Sequence, residues 1–186
     1  MSPLENLKEL AKEKLGLQAR ILADEVLCDD RLPYWSGSAK PEHHHYGECG
    51  LVRHIWEVVN LCFVNKAALK IDAIDDEELF LSALYHDVGK FHDYAKINGV
   101  WQGTEHKRLI HHISRSAIIW SNAYQRLINP AKALHDPVLH AILAHHGHRE
   151  WGSPVAPKTQ VAWMLHLCDG ISARMDDFNR LDVVKL

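Results

Sequence analysis

Histidine is over-represented in this chain, at 15 of 186 residues, and several copies fall where hydrophobic periodicity points towards a core. His54 shares a stripe with Leu51, Ile55, Val58 and Cys62, spaced as one face of a helix. His86 and Asp87 close an apolar run containing Leu79, Leu81 and Leu84, and His112 lies within a later one. His145 and His146 end a further run, and Asp169 follows Val161 and Leu165 at helical spacing on the last. An ionisable group on an apolar face needs a partner or a metal. Imidazole and carboxylate suit transition metals such as Mn, Fe, Co, Ni or Zn, and a carboxylate such as Asp87 can bridge two ions, so this many ligands suggests two metals. Taken alone, His54 reads more readily as a core histidine with a satisfied hydrogen bond than as a ligand, and His112, His145 and His146 have surface histidines as their plain alternative. Their joint occurrence favours ligation.

Helices must position these groups. Ser2, Pro3 and Glu5 form an N-cap, N1 and N3 pattern for a first helix that Gly16 should close, and a second should run from about Leu17 to Leu27. The segment Cys28 to Gly50, with Pro33, Gly37, Ser38, Pro41 and Gly47, has neither helical nor strand periodicity and is expected to be an ordered loop. Its His43, His44 and His45 either cover the site or form a solvated run. A helix starts at about Leu51, and another opens with Asp76, Glu77 and Glu78, acids that suit a helix N-terminus. Phe91 to Gly103 is expected to be a loop turning at Asn98 and Gly99. A long helix should cover roughly Glu105 to Ile128, stopped by Asn129 and Pro130. Asp136 and Pro137 read as N-cap and N1 of a helix ending near Gly147, and a last helix should run from about Lys158 to Phe178. Trp120 and Trp163 are expected in the core. The fold class is therefore all-α.

Composition narrows the function. At 47% hydrophobic and 24% charged residues, the chain is an ordinary globular domain, neither disordered nor coiled-coil. A formal net charge of -3 gives no global positive field for nucleic acid or an anionic membrane, so any phosphate binding must be local. The charged N-terminus, Met1 to Gly16, is unlike a signal peptide, and the most apolar stretch, Val161 to Leu167, is short and contains His166, so no membrane span is expected. Cys28, Cys49, Cys62 and Cys168 form no CxxC pair and are expected as reduced thiols in a cytoplasmic protein, with Cys49 no metal ligand.

A histidine, a His-Asp pair some thirty residues later and a distant aspartate, here His54, His86, Asp87 and Asp169, resemble the signature of the HD-domain metal-dependent phosphohydrolases. The likeness extends to HHHYGECGLVRH ending at His54, ALYHDVGK ending at Lys90, LIHHI around His112, LAHHGHREWGSP from Leu143 and MLHLCDGISARM around Asp169. Together these resemble the HD domain of bacterial 3′-to-5′ exoribonucleases of the YhaM type and, more loosely, the HD segment of some conjugative relaxases. The resemblance implies a single HD-domain helical bundle over 1–186, with 1–33 a helical extension and 34–178 the HD core. It implies one metal held by His54, His86, Asp87 and Asp169 and a second by Asp87, His112, His145 and His146. Mn or Fe are the favoured ions, with Co, Ni, Zn or Mg as further choices.

Bound ions would supply a metal-activated hydroxide to attack phosphorus, so no protein nucleophile is required. Asp87 and Lys90 are the catalytic candidates. Lys90 would meet the phosphate or the leaving oxygen, or else be a C-terminal partner of its helix dipole. Arg53, His111, His148 and Arg149 flank ligands and are candidate substrate contacts, while Tyr46, Trp101 and Trp151 could stack a base.

The expected substrate is a nucleotide or the 3′ end of a short single strand. The exoribonucleases' N-terminal nucleic-acid-binding OB domain would find no room in 186 residues. Arg53 stands where an acidic residue is usual, Cys49 where a glycine is expected, and no glycine-tyrosine-proline follows His145 to Gly147, against a cyclic-dinucleotide substrate. The alternatives are a di-iron oxygenase, marked by oxygen dependence, and a non-catalytic nucleotide-binding module of a relaxase-like complex, marked by binding without turnover.

Overall fold

The computed structural model of the chain describes residues 1–127 and 133–184. Helix α1 (Pro3–Lys14) begins with the expected capping box, in which Ser2 and Glu5 cap each other's backbone. It stops at Leu15, and Gly16 serves instead as N-cap of α2 (Leu17–Leu27). The ordered loop expected next leads into α3 (Gly50–Ala68), and Asp75 caps α4 (Asp76–Tyr85) through the amides of Glu77 and Glu78. Every residue of α4 from Leu79 to Tyr85 is buried, and α4 packs against α1, α2 and α3. The next elements are α5 (Lys90–Asp93), strands β1 (Tyr94–Ile97) and β2 (Val100–Gly103), α6 (Glu105–Leu109), α7 (His111–Gln125), α8 (His135–Ala144) and α9 (Gln160–Val184). Helices α7, α8 and α9 also pack on α4, so its C-terminal end, carrying His86 and Asp87, opens into the middle of the bundle. The architecture is all-α apart from one small hairpin, and no helix among the described residues is long and apolar enough to cross a membrane.

Several expectations need correction. Tyr94 to Gly103 is an antiparallel hairpin rather than a loop, with Tyr94 opposite Gly103 and Ile97 opposite Val100. Asn98 and Gly99 adopt φ of 50° and 81°, the left-handed pair that matches strand twist in a two-residue turn. The long helix breaks after Leu109, because His111 takes φ 68° and redirects the chain so that the His112 amide donates to Asp93 Oδ2 at 3.0 Å. The stop expected at Ile128, Asn129 and Pro130 lies outside the described residues. Helix α8 starts at His135 with Leu134 as its cap, so Asp136 and Pro137 fall inside its first turn. Trp120 is buried and donates its indole N–H to the His135 carbonyl at 3.0 Å, whereas Trp163 is 50% exposed.

Candidate metal centre

The site forms where α4 ends. His86 and Asp87 occupy the turn after Tyr85, and Gly89 lets that turn touch α7, since a Cβ there would lie 2.2 Å from the His112 carbonyl oxygen. His54 enters from α3, His112 from the first turn of α7, His145 and His146 from the end of α8, and Asp169 from α9. His54, His86, Asp87, His112 and His145 are buried.

The groups meet around the Asp87 carboxylate. His54 Nε2 lies 3.2 Å from Asp87 Oδ2 and 3.1 Å from Asp169 Oδ1. His86 Nε2 lies 3.2 Å from His54 Nε2, 3.5 Å from Asp87 Oδ2 and 3.8 Å from Asp169 Oδ1. On the opposite oxygen, Asp87 Oδ1 is 3.4 Å from His112 Nε2 and 3.9 Å from His145 Nε2. Two sets of donor atoms close enough to hold an ion flank the carboxylate, one from His54, His86 and Asp87 and the other from His112, His145 and His146, and a third, of Asp93, His111 and His112, shares His112 with the second. Lys90 Nζ stands 2.6 Å from Asp87 Oδ2.

Each candidate imidazole is tethered through its far nitrogen. His54 Nδ1 pairs with Ser172 Oγ at 3.0 Å, and Ser172 in turn donates to Glu57 Oε2 at 2.7 Å. His86 Nδ1 donates to the Ala83 carbonyl and His145 Nδ1 to the Ile142 carbonyl, both at 2.7 Å. His112 Nδ1 pairs with Asp93 Oδ2 at 3.2 Å, and His146 Nδ1 with the Trp151 carbonyl. Such outer contacts fix ring orientation and tautomer and leave Nε2 free for a metal. They are also the residues that sequence reasoning missed. Glu57 and Ser172 sit one helical turn after His54 and Asp169, a signal available in the spacing. Asp93 follows two turns of backbone whose path the sequence does not disclose.

The electrostatics differ between the two sets. Burial alone would raise the Asp87 carboxyl, but Lys90, His86 and His54 outweigh it and hold the group well below the usual range. Burial likewise opposes, and the bonds to Asp169 and Asp87 overcome it, in raising His54 to about 9. Proton and metal therefore compete for His54 Nε2. On the other side burial pushes His112 down to about 4 and His145 well below its ordinary value. Asp87 Oδ1, His112 Nε2 and His145 Nε2 are buried without a hydrogen-bond partner. Three neighbouring acceptors of this kind are what a divalent cation satisfies, so the residues present fit a metal.

The HD-domain family profile matches residues 51–174, which include every residue of this cluster. The chain belongs to the HD-domain family. It is also similar to the 3'-5' exoribonuclease YhaM of Shouchella clausii, 32% identical over 146 residues, 76% of this chain and 43% of that protein. The YhaM of Bacillus subtilis is 31% identical over 144 residues, 76% and 44% of the two chains. That of Halalkalibacterium halodurans is 30% identical over 183 residues, 95% and 54%. This HD domain thus spans about half the length of the curated relatives it matches. No solved structure matches it significantly.

The remaining candidates of this HD domain divide. Lys90 is buried against Asp87. His111 stacks on His112 with ring centroids 4.1 Å apart. His148 and Arg149 are exposed at the rim, at the start of a 3-10 turn. Arg53 pairs with Asp176 at 2.7 Å. Trp101 is only 6% exposed and packs edge-on against Trp35, so it is a core residue and no base platform. Tyr46 is half-buried and forms an isolated bridge with Ser38, while Trp151 is 58% exposed beside the site.

The histidine run is part covering and part solvated. His43 is exposed, His44 packs 5.8 Å from the His54 ring, and buried His45 pairs with Glu57 Oε2 at 2.9 Å. Burial lowers His44 to about 2 and His45 to about 4. Cys49 is the exposed, left-handed cap of α3.

Proposed function

We propose that this HD domain is a metal-dependent phosphohydrolase or phosphodiesterase that cleaves a phosphoester bond in a nucleotide or at the 3′ end of a short single-stranded nucleic acid. Its cofactors are two divalent ions, Mn or Fe. His54, His86, Asp87 and Asp169 hold one, Asp87, His112, His145 and His146 the other, and 34–178 is the working core. The observation that carries this reading is the convergence of Asp87 Oδ1, His112 Nε2 and His145 Nε2, buried and partnerless, opposite a second set on Asp87 Oδ2. The similarity to YhaM exoribonucleases supports a nucleic-acid 3′ end as substrate.

When bound, such ions lower the pKa of water and neutralise charge on phosphoryl oxygens. The protein supplies geometry around them. Asp87 offers one oxygen to each ligand set, and the tethers through Ser172, Ala83, Asp93 and Ile142 keep the imidazoles from reorienting as charge develops. Lys90, held by Asp87, is the cation placed to meet a phosphate or leaving oxygen. No serine or cysteine nucleophile is called on.

The test pairs metal content per chain, in protein purified without chelator, with hydrolysis of bis-p-nitrophenyl phosphate in added Mn. Two ions per chain with turnover is the expected result. Iron without phosphodiester turnover would overturn it in favour of oxygen chemistry.

A further inference from the structure

A cleft of about 490 Å³ adjoins the candidate metal centre, with Asp169 and His146 in its lining. Whatever part of a substrate does not react must lie along this cleft. Its walls are unusual for a protein surface: Trp151, Leu167, Ile171 and Met175 line it and are exposed by 58%, 56%, 45% and 55%. Four large apolar side chains left open beside a reactive centre mark a binding face rather than ordinary surface. A ligand without an apolar face would lose water against these four side chains, while Arg174, Asp177, His44 and His166 in the same lining can pair with a polar edge. A nucleobase, apolar on both faces and polar only at its edge, suits both.

The indole is held in advance. The Trp151 amide donates to the His148 carbonyl at 3.1 Å, and the His148 ring meets the indole edge-on at 4.9 Å. Its carbonyl accepts from His146 Nδ1, so the residue that fixes a candidate ligand also carries the aromatic face. The segment starts at Gly147, which takes φ 80° and whose Cβ would fall 2.4 Å from the His166 ring, a place only glycine fits. His166, 6.4 Å from Trp151 and tilted by 35°, extends the aromatic surface over the cleft.

Resting on the phosphoesterase reading, we infer that this cleft is a nucleobase subsite, in which Trp151 stacks the base next to the scissile phosphate and Leu167, Ile171 and Met175 form its apolar floor. Stacking reads no hydrogen-bond pattern and tolerates every base. The substrates are therefore phosphoesters that carry a base, with little preference among the four.

The experiment compares two esters with a common leaving group, thymidine 5′-(p-nitrophenyl phosphate) and methyl p-nitrophenyl phosphate, on the Mn-loaded protein. The wild type should favour the thymidine ester by more than tenfold in kcat/KM, Trp151→Ala should cut that ratio about tenfold, and Trp151→Phe should restore most of it. Ile171→Asp should lower the ratio as well. A second readout needs neither metal nor turnover: thymidine monophosphate should quench tryptophan fluorescence of metal-stripped protein, and the quench should disappear in Trp151→Phe. An unchanged ester ratio in Trp151→Ala, or equal quenching in Trp151→Phe, would overturn the subsite. So would Ile171→Asp altering oligomeric state while leaving the ratio alone, which would assign the apolar face to a second copy. If neither ester is cleaved by the wild type, the phosphoesterase reading fails, and the quench still decides the subsite.

Discussion

The two halves of the centre use the same kinds of side chain and are held in different ways. Around Asp87 Oδ2, the nitrogens of His54 and His86 find carboxylate partners on Asp87 and Asp169 between 3.1 and 3.8 Å, and Lys90 adds its charge. This half is electrostatically complete without an ion. Around Asp87 Oδ1, His112 and His145 are driven neutral by burial and face the carboxylate without a hydrogen bond. That half presents acceptors with no donor to match them. One half is therefore a self-contained ion-pair cluster, while the other is a set of tethered neutral rings turned towards a carboxylate oxygen. Carboxylate Asp87 joins them, so its two oxygens serve different masters.

The largest effect should follow from removing that joint. Asp87→Ala is expected to lower phosphodiester turnover by about 10³-fold or more and to remove most bound metal while circular dichroism keeps its helical signal. Retained turnover would break the comparison at its root. His112→Ala should act on one half alone, leaving one tightly held ion per chain by elemental analysis and little turnover. Two ions in that variant would mean that His112 is no ligand. Lys90→Ala should cost kcat about 10²-fold while metal content stays near wild type. A parallel loss of metal would instead make the lysine a structural counter-charge. Smaller again, Ser172→Ala frees His54 Nδ1 and should weaken metal binding at the Oδ2 half by about tenfold, whereas Asp93→Asn should do so at the Oδ1 half. Calorimetric titration of both variants separates the halves, and the same binding step weakened in each would merge them.

The sequence carried the candidate ligands further than their surroundings. His54, His86, Asp87, His112, His145, His146 and Asp169 were legible because ionisable groups interrupt apolar stripes, and helical spacing says which face they take. The capping box at Ser2 and the acids opening α4 are local signals, and both ends formed as expected. The break at left-handed His111 was not legible, because it is stabilised by the bond from the following His112 amide to Asp93, which no local pattern records. The turn of the hairpin is legible in Asn98 and Gly99, but its strands are not, since four residues show little alternation. Trp163 and Trp101 exchanged roles, one expected inside and found exposed, the other expected at the substrate and found packed on Trp35. Aromatic residues have no strong rule of exposure, so neighbours decide. The tethers through Glu57, Ser172 and Asp93 depended on long-range packing of α3, α5, α7 and α9.

The most direct measurement is a Mn titration of metal-stripped protein followed by electron paramagnetic resonance. Two ions per chain, with the first binding as an isolated ion and the second giving an exchange-coupled spectrum through the shared carboxylate, is the predicted result. Saturation at one uncoupled ion, or two ions that never couple, would contradict an Asp87 that joins both halves.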